Sequence, residues 1–260
     1  MKQSIFLSTV IVVTAVVAIV IYMFVLGNPA NFRNGEVRTV PDNLLGTVYT
    51  GGIIVPILIG LTLMNLTLVF ERTFSLRKAN GKRSITAFLK GIQGHLMNGR
   101  IDEAIKECDA QRGSAANIIR TGLERYKVVQ SEKGLDSNKK MSETQRAIEE
   151  ATSLETPLLE RNLIALSTIA SIATMFGLLG TVIGMIRAFT ALAKAGGAPD
   201  AIQLSIGISE ALINTALGLL AAIIGIVAYN FFVTKVDNFT YMIDEASYNV
   251  VQILNTRTND

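Results

Sequence analysis

Apolar residues in this chain gather into four blocks, divided by one long polar stretch and two short ones. Ile5–Leu26 is nearly unbroken Val, Ile and Ala. Leu44–Phe70 is apolar but carries Gly51, Gly52, Pro56, Gly60, Thr62, Asn65 and Thr67. Leu163–Phe189, LIALSTIASIATMFGLLGTVIGMIRAF, meets its first charge only at Arg187. The fourth block runs from about Ile202 to Val233 and holds one carboxylate, Glu210. A helix crosses the hydrocarbon of a bilayer with about 20 apolar residues. Each block therefore predicts a transmembrane helix, and the expected fold class is an all-α integral membrane protein with four transmembrane helices and helical cytoplasmic extensions.

The first block reads as a retained span. Lys2 alone makes a thin positive flank, the apolar run exceeds the roughly 7–15 residues of a signal core, and no small-x-small cleavage site follows. A cleaved signal peptide is the alternative. Gly27–Asn43 is a short polar loop, and Pro56 should bend the second span. KAGGAPD at Lys194–Asp200 reads as a tight loop.

The long polar stretch, Glu71–Arg161, predicts helices over Phe74–Leu96, Ile101–Cys108 and Ala115–Val128, with Arg112-Gly113-Ser114 between the last two. Arg77, Lys78, Lys82 and Arg83 are placed to snorkel or to touch anionic head groups. Ser131–Lys140 reads as a loop. Ser142 with Gln145 is a capping-box pattern that should start a helix, and Pro157 should kink or break it. Such short helices are not expected to bury a core of their own. The expected organisation is 1–43, an N-terminal span and periplasmic loop; 44–70, the second span; 71–161, a cytoplasmic helical region; 162–234, a pair of spans; and 235–260, a cytoplasmic C-terminal helix.

Composition agrees with a membrane protein: of 260 residues, 50% are hydrophobic, and the net charge is only +3, too small a bias to argue for nucleic acid. Glu71–Arg161 carries about 17 Lys and Arg and the two short loops about three, so by the positive-inside rule both termini are expected in the cytoplasm. Cys108 and His95 are each the sole residue of their type. That excludes an internal disulfide and any cysteine-based or multi-histidine metal site. No nucleophile elbow, P-loop, metal motif or dinucleotide fingerprint is present; GIQGHLMNG at Gly91–Gly99 lacks the Lys-Ser/Thr of a P-loop and reads as a turn. The chain is not expected to be an enzyme.

The chemistry sits in the last two spans. At about 100° per residue, Thr174, Leu178, Thr181 and Met185 share one helix face. Gly177, Gly180, Gly184 and Gly218 would let helices approach closely. Glu210 is the carboxylate well inside an apolar segment, and Asn214 follows one turn later on the same face. Thr215 lies about 140° from Glu210, so all three need not point into one lumen. An intramembrane ionisable group is a functional candidate by default. The plainer alternatives are hydroxyls bonded back to their own helix and a Glu210 paired within the bundle, for instance with Arg187.

The third and fourth spans resemble the ExbB/TolQ/MotA family of proton-channel proteins. The resemblance rests on GLLGTVIGM (Gly177–Met185), GISEALINTALGL (Gly207–Leu219) and AYNFF (Ala228–Phe232), with NGRIDEAIKEC (Asn98–Cys108) and IIRTGLERY (Ile118–Tyr126) in the polar region. It covers roughly Val48–Thr240, and the EAL-x-x-TA-x-G phrase is most like ExbB and TolQ, with ExbB favoured. The resemblance implies a subunit of the inner membrane of a Gram-negative bacterium, assembled as a homo-oligomer, typically a pentamer. Its third and fourth spans would line a pore around an ExbD- or TolR-like single-span partner whose membrane aspartate carries the proton. Thr181, Thr215 and Glu210 match the family's motif positions, with Thr174 and Asn214 added to the pathway on position. The coupling ion would be the proton, with no other cofactor, and work would pass to a TonB-like protein.

Departures from the pattern are visible. ExbB and TolQ usually have three spans, so Ile5–Leu26 is an extra one, and four spans with one large loop are also MotA-like. Ala173-Thr174 stands where many members have Ala-Pro, and Arg187 is unusual. A TolQ-like or MotA-type stator is the nearest alternative function. A non-conducting membrane scaffold and a small-solute transporter are the alternatives of a different class.

Overall fold

A computed structural model describes residues 2–33, 37, 40–132, 136–194 and 201–259. Among these residues the chain is helical, without a strand: α1 (Lys2–Val20), α2 (Leu44–Tyr49), α3 (Ile54–Asn80), α4 (Ile85–Met97), α5 (Ile101–Gln111), α6 (Ser114–Ser131), α7 (Ser137–Glu160), α8 (Leu163–Lys194) and α9 (Ala201–Asn259). Four of the described helical stretches are long and apolar enough to cross a membrane, and the protein is a multi-pass membrane protein. The chain divides into two compact units, Met1–Phe70 with Asn162–Asn230, and Glu71–Arg161 with Phe231–Asp260.

The first unit holds the apolar helices. Along α1, Val10, Thr14 and Ala18 recur every four residues and are buried, while Val12, Val13, Val16 and Val17 are exposed. That is the pattern of a helix with one protein-facing stripe. Gly60 of α3 faces Ala18. A π-helical turn, Ile21–Leu26, ends α1, and Asn31 Nδ2 donates to the carbonyls of Val25 (2.7 Å) and Leu26 (3.0 Å). The side chain thus satisfies acceptors that a helix end leaves open. Tyr22 stacks on Tyr49 with ring centroids 4.6 Å apart.

The second apolar block is two helices, not one bent one. It breaks at Thr50–Ile53, where Gly52 has φ +75°, a region open to glycine at little cost. Pro56 falls in the first turn of α3, where a missing N–H matters least, so it does not bend the helix.

The second unit has a core of its own, contrary to the expectation. Phe88, Ile92, Leu96, Cys108, Ile119, Leu123 and Tyr126 are buried together with Ala246, Val250 and Leu254. Ala246, Val250 and Leu254 come from the distal part of α9, outside the sequence stretch 71–161. Each fully buried large apolar side chain contributes about 1.5–3 kcal/mol.

Other local expectations are corrected here. Phe74–Leu96 is not one helix, because Gly81 (φ +79°) separates α3 from α4. Gly91 and Gly94 lie inside α4, and only Asn98-Gly99 turns. α7 starts at Ser137, so Ser142 lies within it and caps nothing. Pro157 also lies inside α7; it sits in the last turn and removes one bond, to Ser153, which is exposed. The chain breaks later, at Asn162 with φ +61°. No break separates 201–234 from 235–259, which form one helix. Residues 195–200 of the expected tight loop and 133–135 of the expected Ser131–Lys140 loop lie outside the described residues.

Candidate functional site

α8 and α9 pack through small residues in an antiparallel register. A Cβ on Gly177 would lie 3.1 Å from Gly218 Cα, and Gly180 lies against Asn214. A Cβ on Gly184 would lie 2.7 Å from Ala211 N, and one on Gly207 would lie 2.8 Å from Ala188 Cβ. Partners advance along α8 as they retreat along α9. Close backbone approach of this kind stands in for the hydrophobic drive that is weak between helices in lipid.

The register brings two hydroxyls together. Thr181 Oγ1 and Thr215 Oγ1 are 3.2 Å apart, and either can donate. Both side chains are half-buried. Each also bonds its own helix: Thr181 to the Leu178 carbonyl at 2.8 Å and Thr215 to the Ala211 carbonyl at 3.2 Å. Thr181 borders an open, mostly apolar groove of about 760 Å³ along α8, with Met185 and Phe189. Thr174 is half-buried and bonds the Ala170 carbonyl at 3.1 Å.

Glu210 and Asn214 lie on another side of α9. Glu210 is buried and accepts Arg187 Nη1 at 2.6 Å and 2.8 Å on its two oxygens. The pair borders a cavity of about 450 Å³ with Tyr22, Tyr49, Gly52 and Gln203. Asn214 is fully buried, and its Nδ2 donates to the Gly51 carbonyl at 2.9 Å. It therefore meets the break between α2 and α3, not the threonine pair. A Cβ on Gly52 would lie 2.7 Å from Glu210 Oε1, so a glycine is needed there for space as well as for φ.

Sequence reasoning missed this three-way junction. The Gly51-Gly52 pair inside an apolar run is the available signal for it. Asn65 is also fully buried, and its Nδ2 donates to the Ala221 carbonyl at 3.0 Å. The Oδ1 atoms of Asn65 and Asn214 have no hydrogen-bond partner among the described residues.

The arrangement offers hydroxyl donors and acceptors beside an open groove, and a neutralised ion pair away from them. Threonine hydroxyls do not titrate near neutrality, so they can relay or solvate a proton but not store one.

Residues 110–245 match the MotA/TolQ/ExbB proton channel family. The chain is 32% identical over 176 residues to the Tol-Pal system protein TolQ of Pseudomonas aeruginosa, which covers 67% of this chain and 74% of that protein. It is 44% identical over 88 residues to the TolQ of Haemophilus influenzae, 34% of this chain and 38% of that one. It is 39% identical over 89 residues to the biopolymer transport protein ExbB of Pseudomonas putida, 34% of this chain and 27% of that one. With the family's match spanning α8 and the apolar part of α9, where the small-residue seam and the threonine pair lie, the chain belongs to the MotA/TolQ/ExbB proton channel family.

Proposed function

We propose that this chain is a ring-forming subunit of a motor driven by the proton-motive force, in the inner membrane of a Gram-negative bacterium. In this reading it works with an ExbD-like single-span partner, in a homo-oligomer such as a pentamer, and energises TonB-dependent outer-membrane transport through a TonB-like protein. Residues 162–234 form the pore-lining pair of spans, and both termini are cytoplasmic. The observation that carries the reading is the Thr181–Thr215 hydroxyl pair beside the open groove of α8.

The mechanism follows from what each group can do. An acidic side chain of the partner seated in the groove finds the Thr181 hydroxyl, backed by that of Thr215, able to donate to its charged form or accept from its protonated form. Desolvation in the groove makes those bonds matter more than in water. The carboxylate of Glu210 is already held by Arg187, so it sets the local field and shape and does not carry the proton.

A TolQ-like role in the cell envelope is the second reading, favoured by the 32% identity over 176 residues to a TolQ. Ion flux in proteoliposomes, with and without the single-span protein encoded beside this gene, tests the proposal. Proton flux should need the partner and fall in Thr181→Val and Thr215→Val. Solute movement without any partner would overturn the motor reading. Unchanged flux in both variants, with the partner bound, would place the pore elsewhere.

A further inference from the structure

Two turns of the second unit are built into one another. Gln111 is buried; its Nε2 donates to the carbonyls of Asn80 (3.0 Å) and Arg83 (2.9 Å), and its Oε1 accepts the Arg83 N–H at 3.0 Å. The Lys82 N–H donates to the Gln111 carbonyl at 3.0 Å. A Cβ on Gly113 would strike the Ala79 carbonyl, and one on Gly81 the Arg112 carbonyl. Arg112 itself has φ +57°, uncommon for a residue with a side chain. The turn between α3 and α4 and the turn between α5 and α6 thus form one rigid floor. They border a cavity of about 560 Å³ that also meets Lys78, Ser114 and Glu155.

Most of the charge around the cavity is positive. α6, 18 residues long, starts at Ser114 with no side-chain cap, so its first N–H groups and the positive end of its dipole are open. Lys78, Lys82 and Arg112 border the cavity and make no ion pair among the described residues. Glu155 is the opposing charge, and its Oε1 accepts from Asn117 Nδ2 at 3.0 Å. Independently, Ser114 is 7% exposed and lines the cavity, and its hydroxyl has no hydrogen-bond partner among the described residues. The hydroxyl is therefore available to whatever fills the cavity.

We propose that this cavity binds a phosphate-bearing ligand, held by the N-terminus of α6, the Ser114 hydroxyl and the cations Lys78, Lys82 and Arg112. Phosphate suits the donors because its several oxygens can accept from a helix end and from separate cations at once. The volume admits an ester as well as the free anion, so the source is a lipid head group or a soluble phosphate. The site is separate from the threonine pair and does not rest on the motor reading.

The test is calorimetric titration of the full chain in maltoside micelles, with inorganic phosphate and separately with dioctanoyl phosphatidylglycerol. At least one probe should bind saturably, and Arg112→Gly should weaken it at least tenfold. Glycine suits φ +57° better than arginine, so this variant should melt no lower than wild type, which separates lost binding from lost fold. Ser114→Ala should weaken binding a few-fold, and Lys78→Ala with Lys82→Ala by tenfold or more. Binding of the lipid alone would identify a head-group site, and binding of phosphate alone a soluble ligand; either supports the proposal. No saturable binding of either probe, or affinity unchanged in Arg112→Gly and in the double lysine variant, would overturn it.

Discussion

Arg187 and Glu210 form a closed ion pair, 2.6 Å at its shortest, in which the carboxylate is 3% exposed and the guanidinium 55%. The two partners are unequal, and the consequences of removing them differ. Arg187→Ala leaves a buried carboxylate uncompensated. Fully buried pairs lose about 3–5 kcal/mol on such a change; the half-open guanidinium brings the expected loss to about 1–3 kcal/mol. Glu210→Gln leaves an exposed cation that water can serve and should cost less. Thermal melts of the two variants in detergent check the order; a lower melting point for Glu210→Gln would contradict it.

Substitutions at the Thr181–Thr215 pair test stability and proton flux separately. Thr→Val keeps the shape of the side chain and removes one hydroxyl. Each hydroxyl also bonds its own helix, so the net stability change should stay within about 0.5–1.5 kcal/mol. Proton flux with the partner present should fall by far more than stability, and Thr181→Ser should retain most of it. Parallel melting and flux measurements on the same preparations test the split.

The glycine seam should tolerate little. At Gly180 an added methyl would strike the Asn214 side chain, which is fully buried, and at Gly184 it would lie 2.7 Å from Ala211 N. Overpacking of this kind costs about 1–3 kcal/mol. Gly180→Ala and Gly184→Ala should lower the melting point, whereas Gly94→Ala, where nothing lies within 4 Å, should not. At Gly94 the helix propensity of alanine should even raise it slightly.

Cys108 lies in the core of the second unit, and burial, followed by the charges of Asp109 and Glu107, pushes its thiol up to about 12. At pH 8 the folded protein should hold almost no thiolate there. Titration with a thiol-reactive disulfide should therefore find no fast-reacting group until denaturant is added. Because the folded state holds this proton more tightly than the unfolded one, the thiol should favour unfolding only as pH rises past about 9.

Glu143 behaves in the opposite sense. Its hydrogen bond from Arg125, 2.6 Å long, holds its carboxyl below the ordinary value of 4.5. A depressed folded pKa stabilises above the unfolded value and is lost as pH falls through the folded one. The effect of Glu143→Gln should therefore be felt at neutral pH and fade as the pH falls below the ordinary value of 4.5. Both side chains are only partly buried, so the effect should also shrink at high salt. Melting curves at pH 3, 4, 5 and 7 in low and high salt check this.

Much of the fold is legible in residue pattern. Four apolar blocks predict four spans because lipid demands that each crossing segment satisfy its backbone internally, a purely local requirement. The α5 and α6 helices follow from amphipathic spacing, and the Arg112-Gly113 turn from the glycine. Local rules failed where a residue's surroundings decide its meaning. Pro157 and Pro56 are helix breakers by type, yet each falls within a turn of a helix end where one lost bond is tolerated. Ser142 has the form of a cap, but the helix had already begun at Ser137.

Sequence alone determined the membrane class, the family motifs and the residue types of the candidate site. Which of those residues meet was decided only by tertiary structure. Glu210 and Thr215 stand five apart on one helix, but the register of α8 against α9 sends Glu210 to Arg187 and Thr215 to Thr181. Asn214, beside Thr215 in the chain, turns to the Gly51 carbonyl. The core of the second unit likewise includes Val250 and Leu254, 89 and 93 residues beyond Arg161 in the chain. Helical periodicity fixes where side chains point on one helix; it carries no information about which neighbour fills the space opposite.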